Sequence, residues 1–110
     1  VPADVAPELA ERARGVAVAI AEAGQLVGLV CVEMFLTVDG RLLVNELAPR
    51  PHNSGHWTID ACLAGQFEQH VRAVAGVPLA DPARHHDAVM VNLVGSEGMA
   101  RWDELLSSPG

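Results

Sequence analysis

Between residues 7 and 24, apolar side chains recur at Leu9, Ala13, Val16, Ala17 and Ile20, a spacing that predicts one amphipathic helix. Pro7 suits its first turn and Gly24 its stop, with Glu8 and Glu11 near the positive end of the helix dipole. Two runs rich in apolar and β-branched residues follow, separated by Asp39-Gly40, a dipeptide that tolerates the positive φ a two-residue hairpin turn requires. With Asp39 and Gly40 as the central turn residues, Val38 faces Arg41 and Glu33 falls directly opposite Glu46. The first helix is then expected under the hairpin, on the face away from the glutamates, against Val30, Val32, Met34 and Leu36.

Beyond a polar, proline-containing loop, Thr58 can cap a helix beginning near Ile59. Leu63, Phe67, His70, Val71 and Val74 continue the helical spacing, Gly65 divides the run, and Gly76 and Pro78 end it. His70 lies on this apolar stripe and reads as a structural residue. The stretch DPARHHD is a connector in which His85 and His86 are expected to be solvated. Residues 88–95 predict a short buried strand, and residues 98–106 one short helix with Met99, Trp102, Leu105 and Leu106 on one side. Helices and an antiparallel hairpin in one chain give an α+β class.

Half of the 110 residues are hydrophobic, a composition that suits a globular chain with one core. No apolar run approaches the roughly 18 residues of a membrane-spanning helix. The net charge of −7 argues against a general nucleic-acid binder, so an anionic ligand would have to be met by local cations or a metal. Cys31 in the first strand and Cys62 in the expected second helix are far apart and fit inert thiols in a reducing cytoplasm. The first residues lack the basic-then-apolar order of a signal peptide. They also lack an initiator methionine, which suggests a fragment or a processed chain.

The chemistry concentrates in the hairpin and the residues after it. Two carboxylates directly opposite on one face of a ribbon have Cβ atoms about 4.5–5.5 Å apart and destabilise each other unless compensated. A hard divalent cation compensates them; the plain structural alternative is two solvated glutamates on the open face of the sheet. After Glu46 the chain runs LAPRPHNSGH, where the two prolines impose a stiff extended path. Along it, Arg50 offers a planar fork for carboxylate, carbonate or phosphate oxygens, and His52 can carry a proton near neutral pH. Ser54 and Gly55 fit a turn that turns backbone N–H groups toward an anion. A metal pair followed by an anion-binding loop suits phosphoryl transfer.

The string VNELAPRPHNSGHWTIDACLAGQFEQHVRAV, with VEMF before it and VMVNLVG after it, closely resembles 5-(carboxyamino)imidazole ribonucleotide synthase. The likeness extends from about residue 28 to residue 110, and its NE-APRPHNSGH centre is long and unusual enough to be specific. The resemblance implies the C-terminal lobe of an ATP-grasp domain over residues 1–80 and the start of a small C-terminal domain over 81–110. It implies an ATP- and bicarbonate-dependent ligase that activates bicarbonate as carboxyphosphate and carboxylates the amine of 5-aminoimidazole ribonucleotide in purine biosynthesis. By the same resemblance, Glu33 and Glu46 match Mg²⁺ ligands (Mn²⁺ being an alternative), and Arg50 and His52 match catalytic loop residues. Asn45, Glu46 and Asn53 would meet nucleotide or substrate oxygens, and a homodimer is implied. Many ATP-grasp enzymes carry an asparagine two residues after the second glutamate; here that position is Ala48. The family's ATP-contacting lysines lie upstream of the matched stretch, so the chain alone is expected to be inactive. Two other functions stay open, another ATP-grasp ligase acting on a different amine and a non-catalytic metal- or anion-binding module.

Overall fold

In the computed structural model, which describes residues 1–107, helix α1 covers Pro7–Ala23, strands β1 and β2 cover Cys31–Leu36 and Leu42–Ala48, and a 3₁₀ turn covers Asn53–Gly55. Helices α2 (Thr58–Ala61), α3 (Gln66–Ala75), α4 (Gly95–Ala100) and α5 (Trp102–Leu106) complete the order. The two strands form one antiparallel sheet and α1 lies against β1. The α+β class holds, and the connector and α4–α5 occupy the segment expected to open a second domain, of which residues 108–110 lie outside the described residues.

The hairpin reaches the expected pairing of Glu33 with Glu46 by an unexpected route. Its loop has three residues, not two: Thr37 faces Arg41, with the Thr37 N–H donating to the Arg41 carbonyl at 2.9 Å and the Gly40 N–H to the Thr37 carbonyl at 2.9 Å. Gly40 takes φ +81°, the left-handed position that closes such a loop. That extra residue shifts the ladder by one, so Met34 pairs with Val44. A bulge after Glu33 then leaves Asn45 unpaired and restores Glu33 opposite Glu46. Without it, Glu33 would meet Asn45 and Glu46 would turn to the other face.

The helix boundaries follow the glycines. Gly65 breaks the second helical run as expected, and Gly76 at φ +68° receives the end of α3, its N–H donating to Ala73 and that of Val77 to Arg72. Thr58 does not cap α2; its hydroxyl accepts from the Gln66 N–H at 2.9 Å and so caps α3 instead. His70 is structural, as expected. Its Nδ1 accepts the Leu29 N–H at 3.1 Å and ties α3 to the chain entering β1.

Gly28, at φ +114°, approaches that ring so closely that a Cβ would lie 2.8 Å from both Cε1 and Nδ1 of His70. Gly28→Ala is therefore expected to destabilise the full-length protein by at least about 1–3 kcal/mol, combining backbone strain with a displaced imidazole. Gly40→Ala, strained but in open space, is expected to cost less. Thermal melts of the two variants check the order.

Several other expectations fail. Residues 88–95 form no strand, because no described strand lies beside them to supply a ladder, and Val89, Val91 and Val94 are exposed. The helix expected over 98–106 is two shorter helices that begin at Gly95 and divide at Arg101. Cys62 lies beyond α2 in extended backbone, bridged to Arg84, although it is buried and unpaired as a thiol. Nor do the described residues form one large core. The buried apolar residues are Ala48, Ala61, Cys62 and Ala64, whereas Phe35 is 60 % exposed. The radius of gyration of 16.2 Å exceeds the roughly 13 Å of a compact chain of this length. The buried residues fall at the end of β2, in α2 and the link after it, and at the start of α3.

Candidate metal and anion site

Glu33, Glu46 and His52 each bring a ligating atom to within 4.8 Å of the others. The strands place the two carboxylates side by side, and the Pro49–Pro51 path carries the chain back so that His52 Nε2 stands 3.5 Å from Glu33 Oε1. The His52 ring is 14 % exposed against 42 % for Glu33 and a still more open Glu46, so the histidine is the rigid wall of the group and Glu46 its solvent side. Among the described residues Glu46 has no cationic partner. Two facing carboxylates are an oxygen-rich donor set that fits Mg²⁺ or Mn²⁺.

The histidine ring is oriented from behind. The Ser54 N–H points at His52 Nδ1 at 3.3 Å and the Ser54 hydroxyl lies 2.9 Å from the same atom. With Nδ1 accepting from the Ser54 N–H, the ring proton sits on Nε2, facing Glu33. A metal-binding role would require the other tautomer, with Nδ1–H donating to Ser54 Oγ; the geometry favours His52 as a donor to an anionic group.

Arg50 lines a cavity of about 210 Å³ together with Cys31, His52, Ser54 and Gln66. Its Nη1 donates to the adjacent Pro51 carbonyl at 2.9 Å, and among the described residues no carboxylate pairs with it. An arginine fork left open in a cavity shared with His52 is equipped to take oxygens of an anion. The backbone part of the anion expectation does not survive. The Ser54 N–H points at His52 Nδ1, the Gly55 N–H is spent on the His52 carbonyl and the His56 N–H on Asn53, all within the 3₁₀ turn. The loop therefore offers side chains to an anion, not a nest of amides. Asn45 at the bulge and Asn53 at the start of the turn are both exposed, and among the described residues their side-chain amides make no hydrogen bond. Ala48 is buried against this region and supplies no ligand. Trp57 does not line the Arg50 cavity; it lines a separate one with Asp60 and His86.

Sequence reasoning passed over Gln66. Buried at the first position of α3, its side-chain Oε1 accepts the His52 N–H at 2.9 Å while its Nε2 donates to the His52 carbonyl at 2.8 Å. The same Nε2 lies 2.6 Å from His56 Nδ1, whose ring stacks on Phe67 at 5.5 Å. The available signal was a lone amide at a helix start, too common to single out.

A family model described as the ATP-grasp domain matches residues 1–67. The N5-carboxyaminoimidazole ribonucleotide synthase of Bacillus subtilis is 56 % identical over 97 residues, covering 88 % of this chain and 26 % of that protein. The enzyme of the same name from Mycobacterium tuberculosis is 52 % identical over 97 residues, covering 86 % of this chain and 23 % of its own length. The chain thus spans about a quarter of the curated relatives it matches. Among solved structures, the Thermotoga maritima N5-carboxyaminoimidazole ribonucleotide synthetase superposes with a TM-score of 0.84 at 51 % identity, over 89 % of this chain and 27 % of that one. An Aspergillus clavatus carboxyaminoimidazole ribonucleotide synthase complexed with ATP gives a TM-score of 0.91 at 31 % identity, over 99 % and 30 %. A second Aspergillus clavatus structure, with ADP and 5-aminoimidazole ribonucleotide, gives 0.86 at 30 % identity over 96 % and 30 %. With its matched domain covering more than half of its residues and its hairpin and loop in place, this chain belongs to the ATP-grasp family.

Proposed function

We propose that this chain supplies one wall of the active site of an ATP-dependent ligase that carboxylates the amine of 5-aminoimidazole ribonucleotide. Bicarbonate and ATP would be the co-substrates, and 5-(carboxyamino)imidazole ribonucleotide, ADP and phosphate the products. The observation that carries this reading is the convergence of Glu33, Glu46 and His52 within 4.8 Å, with His52 also lining the cavity of an arginine that, among the described residues, has no carboxylate partner. The names and bound ligands of the similar structures support the choice of substrate. A cytoplasmic enzyme and a homodimer are part of the same reading.

Glu33 and Glu46 would hold Mg²⁺, with Mn²⁺ as a substitute; when bound, the ion neutralises charge on the β- and γ-phosphate oxygens of ATP. Arg50 would bind bicarbonate and carry the charge that develops as a bicarbonate oxygen displaces ADP from the γ-phosphorus. His52, with its Nε2 proton facing Glu33 and its ring lining the same cavity as Arg50, would help to orient the same anion. The resulting carboxyphosphate would pass its carboxyl group to the amine, the C–O bond to phosphate breaking as the C–N bond forms. Asn45 and Asn53, exposed at the edge of the site, would hydrogen-bond phosphate or substrate oxygens.

Carboxyphosphate formation has an isotopic signature. With bicarbonate labelled in ¹⁸O, the full-length protein is expected to release phosphate containing one labelled oxygen per turnover. Unlabelled phosphate formed during carboxylation would exclude attack by bicarbonate on ATP.

A further inference from the structure

We propose that Gln66 is a positioning residue for the reaction, setting the orientation of His52 by clamping its backbone from both sides; this rests on the reading of His52 as a group that meets the anionic substrate. A primary amide that accepts from the N–H and donates to the C=O of one residue imitates a paired β-strand, and fixes that residue's backbone torsions. His52 belongs to an irregular segment between prolines and a 3₁₀ turn, where no ladder would otherwise hold it. The clamp also fixes the amide's own orientation, because Oε1 must face an N–H and Nε2 a carbonyl. Nε2 then presents its second proton to His56 Nδ1, so the two histidines of the loop are oriented by one side chain.

The surroundings are shaped for this amide. Thr58 donates its hydroxyl to the Gly55 carbonyl at 2.6 Å and accepts the Gln66 N–H, joining the far end of the loop to the start of α3. Gly55 has an ordinary φ, so its lack of a side chain is not about backbone freedom. A Cβ there would lie 2.5 Å from Gln66 Oε1, where the amide now sits. Two different substitutions therefore disturb the same clamp, Gln66→Met by removing its polar atoms at similar volume, and Gly55→Ala by displacing them.

The test is a double-mutant cycle on bicarbonate-dependent ADP release by the full-length protein, comparing Gln66→Met, Gly55→Ala, His52→Asn and Gln66→Met/His52→Asn. Gln66→Met is expected to lower kcat roughly 10- to 100-fold, the scale of lost outer-shell support, with the KM for ATP nearly unchanged. Gly55→Ala is expected to act in the same direction. Because Gln66 works through His52, the double variant is expected to be no slower than His52→Asn alone. Independent, multiplicative losses would overturn the proposal, as would a Gln66→Met enzyme with wild-type kcat. If Gln66→Met does not fold, unchanged kcat in Gly55→Ala overturns it instead. Should His52→Asn alone retain full activity, the reading of His52 fails and the positioning role with it. An impaired His52→Asn beside an intact Gln66→Met removes only the latter.

Discussion

Glu46→Gln in the full-length protein is expected to lower kcat for ADP release by about three orders of magnitude, the scale of losing a principal electrostatic group at a phosphoryl-transfer site. The substitution keeps the shape of the side chain and the β-ladder while removing one of two charges that would hold the metal. Saturating Mg²⁺ is expected to recover only part of the loss. Stability is expected to move the other way. Glu46 lies opposite Glu33 with no cationic partner among the described residues, so in metal-free protein its charge is a cost. Removing it is expected to raise metal-free stability by a few tenths of a kcal/mol, the range of cross-strand charge effects. A variant that is slower and, without metal, slightly more stable has lost a functional charge. One that is slower because it is less stable has not, and melting curves with and without Mg²⁺ separate the two.

Arg50→Ala is expected to lower kcat about 10²- to 10³-fold, with a rise in the KM for bicarbonate. Among the described residues the guanidinium's one hydrogen bond is to the neighbouring Pro51 carbonyl, and Arg50 is exposed, so folding should change by less than about 0.5 kcal/mol. Arg50→Lys should fall between wild type and alanine, since lysine restores the charge but not the planar pair of donors. If lysine matched arginine, Arg50 would be acting as a simple point charge and the bidentate contact would be wrong.

Much of this site was legible because its signals are local. Asp39-Gly40 between two apolar runs marks a hairpin, and prolines after Glu46 mark a stiff return path carrying Arg50 and His52. The pairing of Glu33 with Glu46 was also anticipated, but through a two-residue turn that does not occur. A three-residue loop and a bulge at Asn45 each displace the ladder by one residue, in compensating senses. Asp-Gly is compatible with either loop length, and a bulge at an asparagine leaves no distinctive residue pattern, so neither displacement could be read from the sequence.

What escaped depends on distant partners. Thr58 looks like the cap of the helix it begins, yet its hydroxyl serves α3, which starts after the break at Gly65. Gln66 acquires its role only when the loop folds back over it and Gly55 leaves room for its amide. The strand expected at 88–95 had the composition of a strand, but a ladder needs a neighbour and none of the described strands supplies one. Burial was overread for a related reason. Apolar periodicity shows which face can be covered, not whether it is, and Phe35, Leu36 and Val44 are exposed.

The most direct measurement is ADP release by the full-length protein with ATP, Mg²⁺ and bicarbonate, with and without 5-aminoimidazole ribonucleotide, in wild type and Glu46→Gln. Strong stimulation of the wild type by the nucleotide, abolished in Glu46→Gln, is the expected result and would join the substrate to the carboxylate pair in one experiment. ATP turnover that ignores the nucleotide, or that survives Glu46→Gln undiminished, would contradict it.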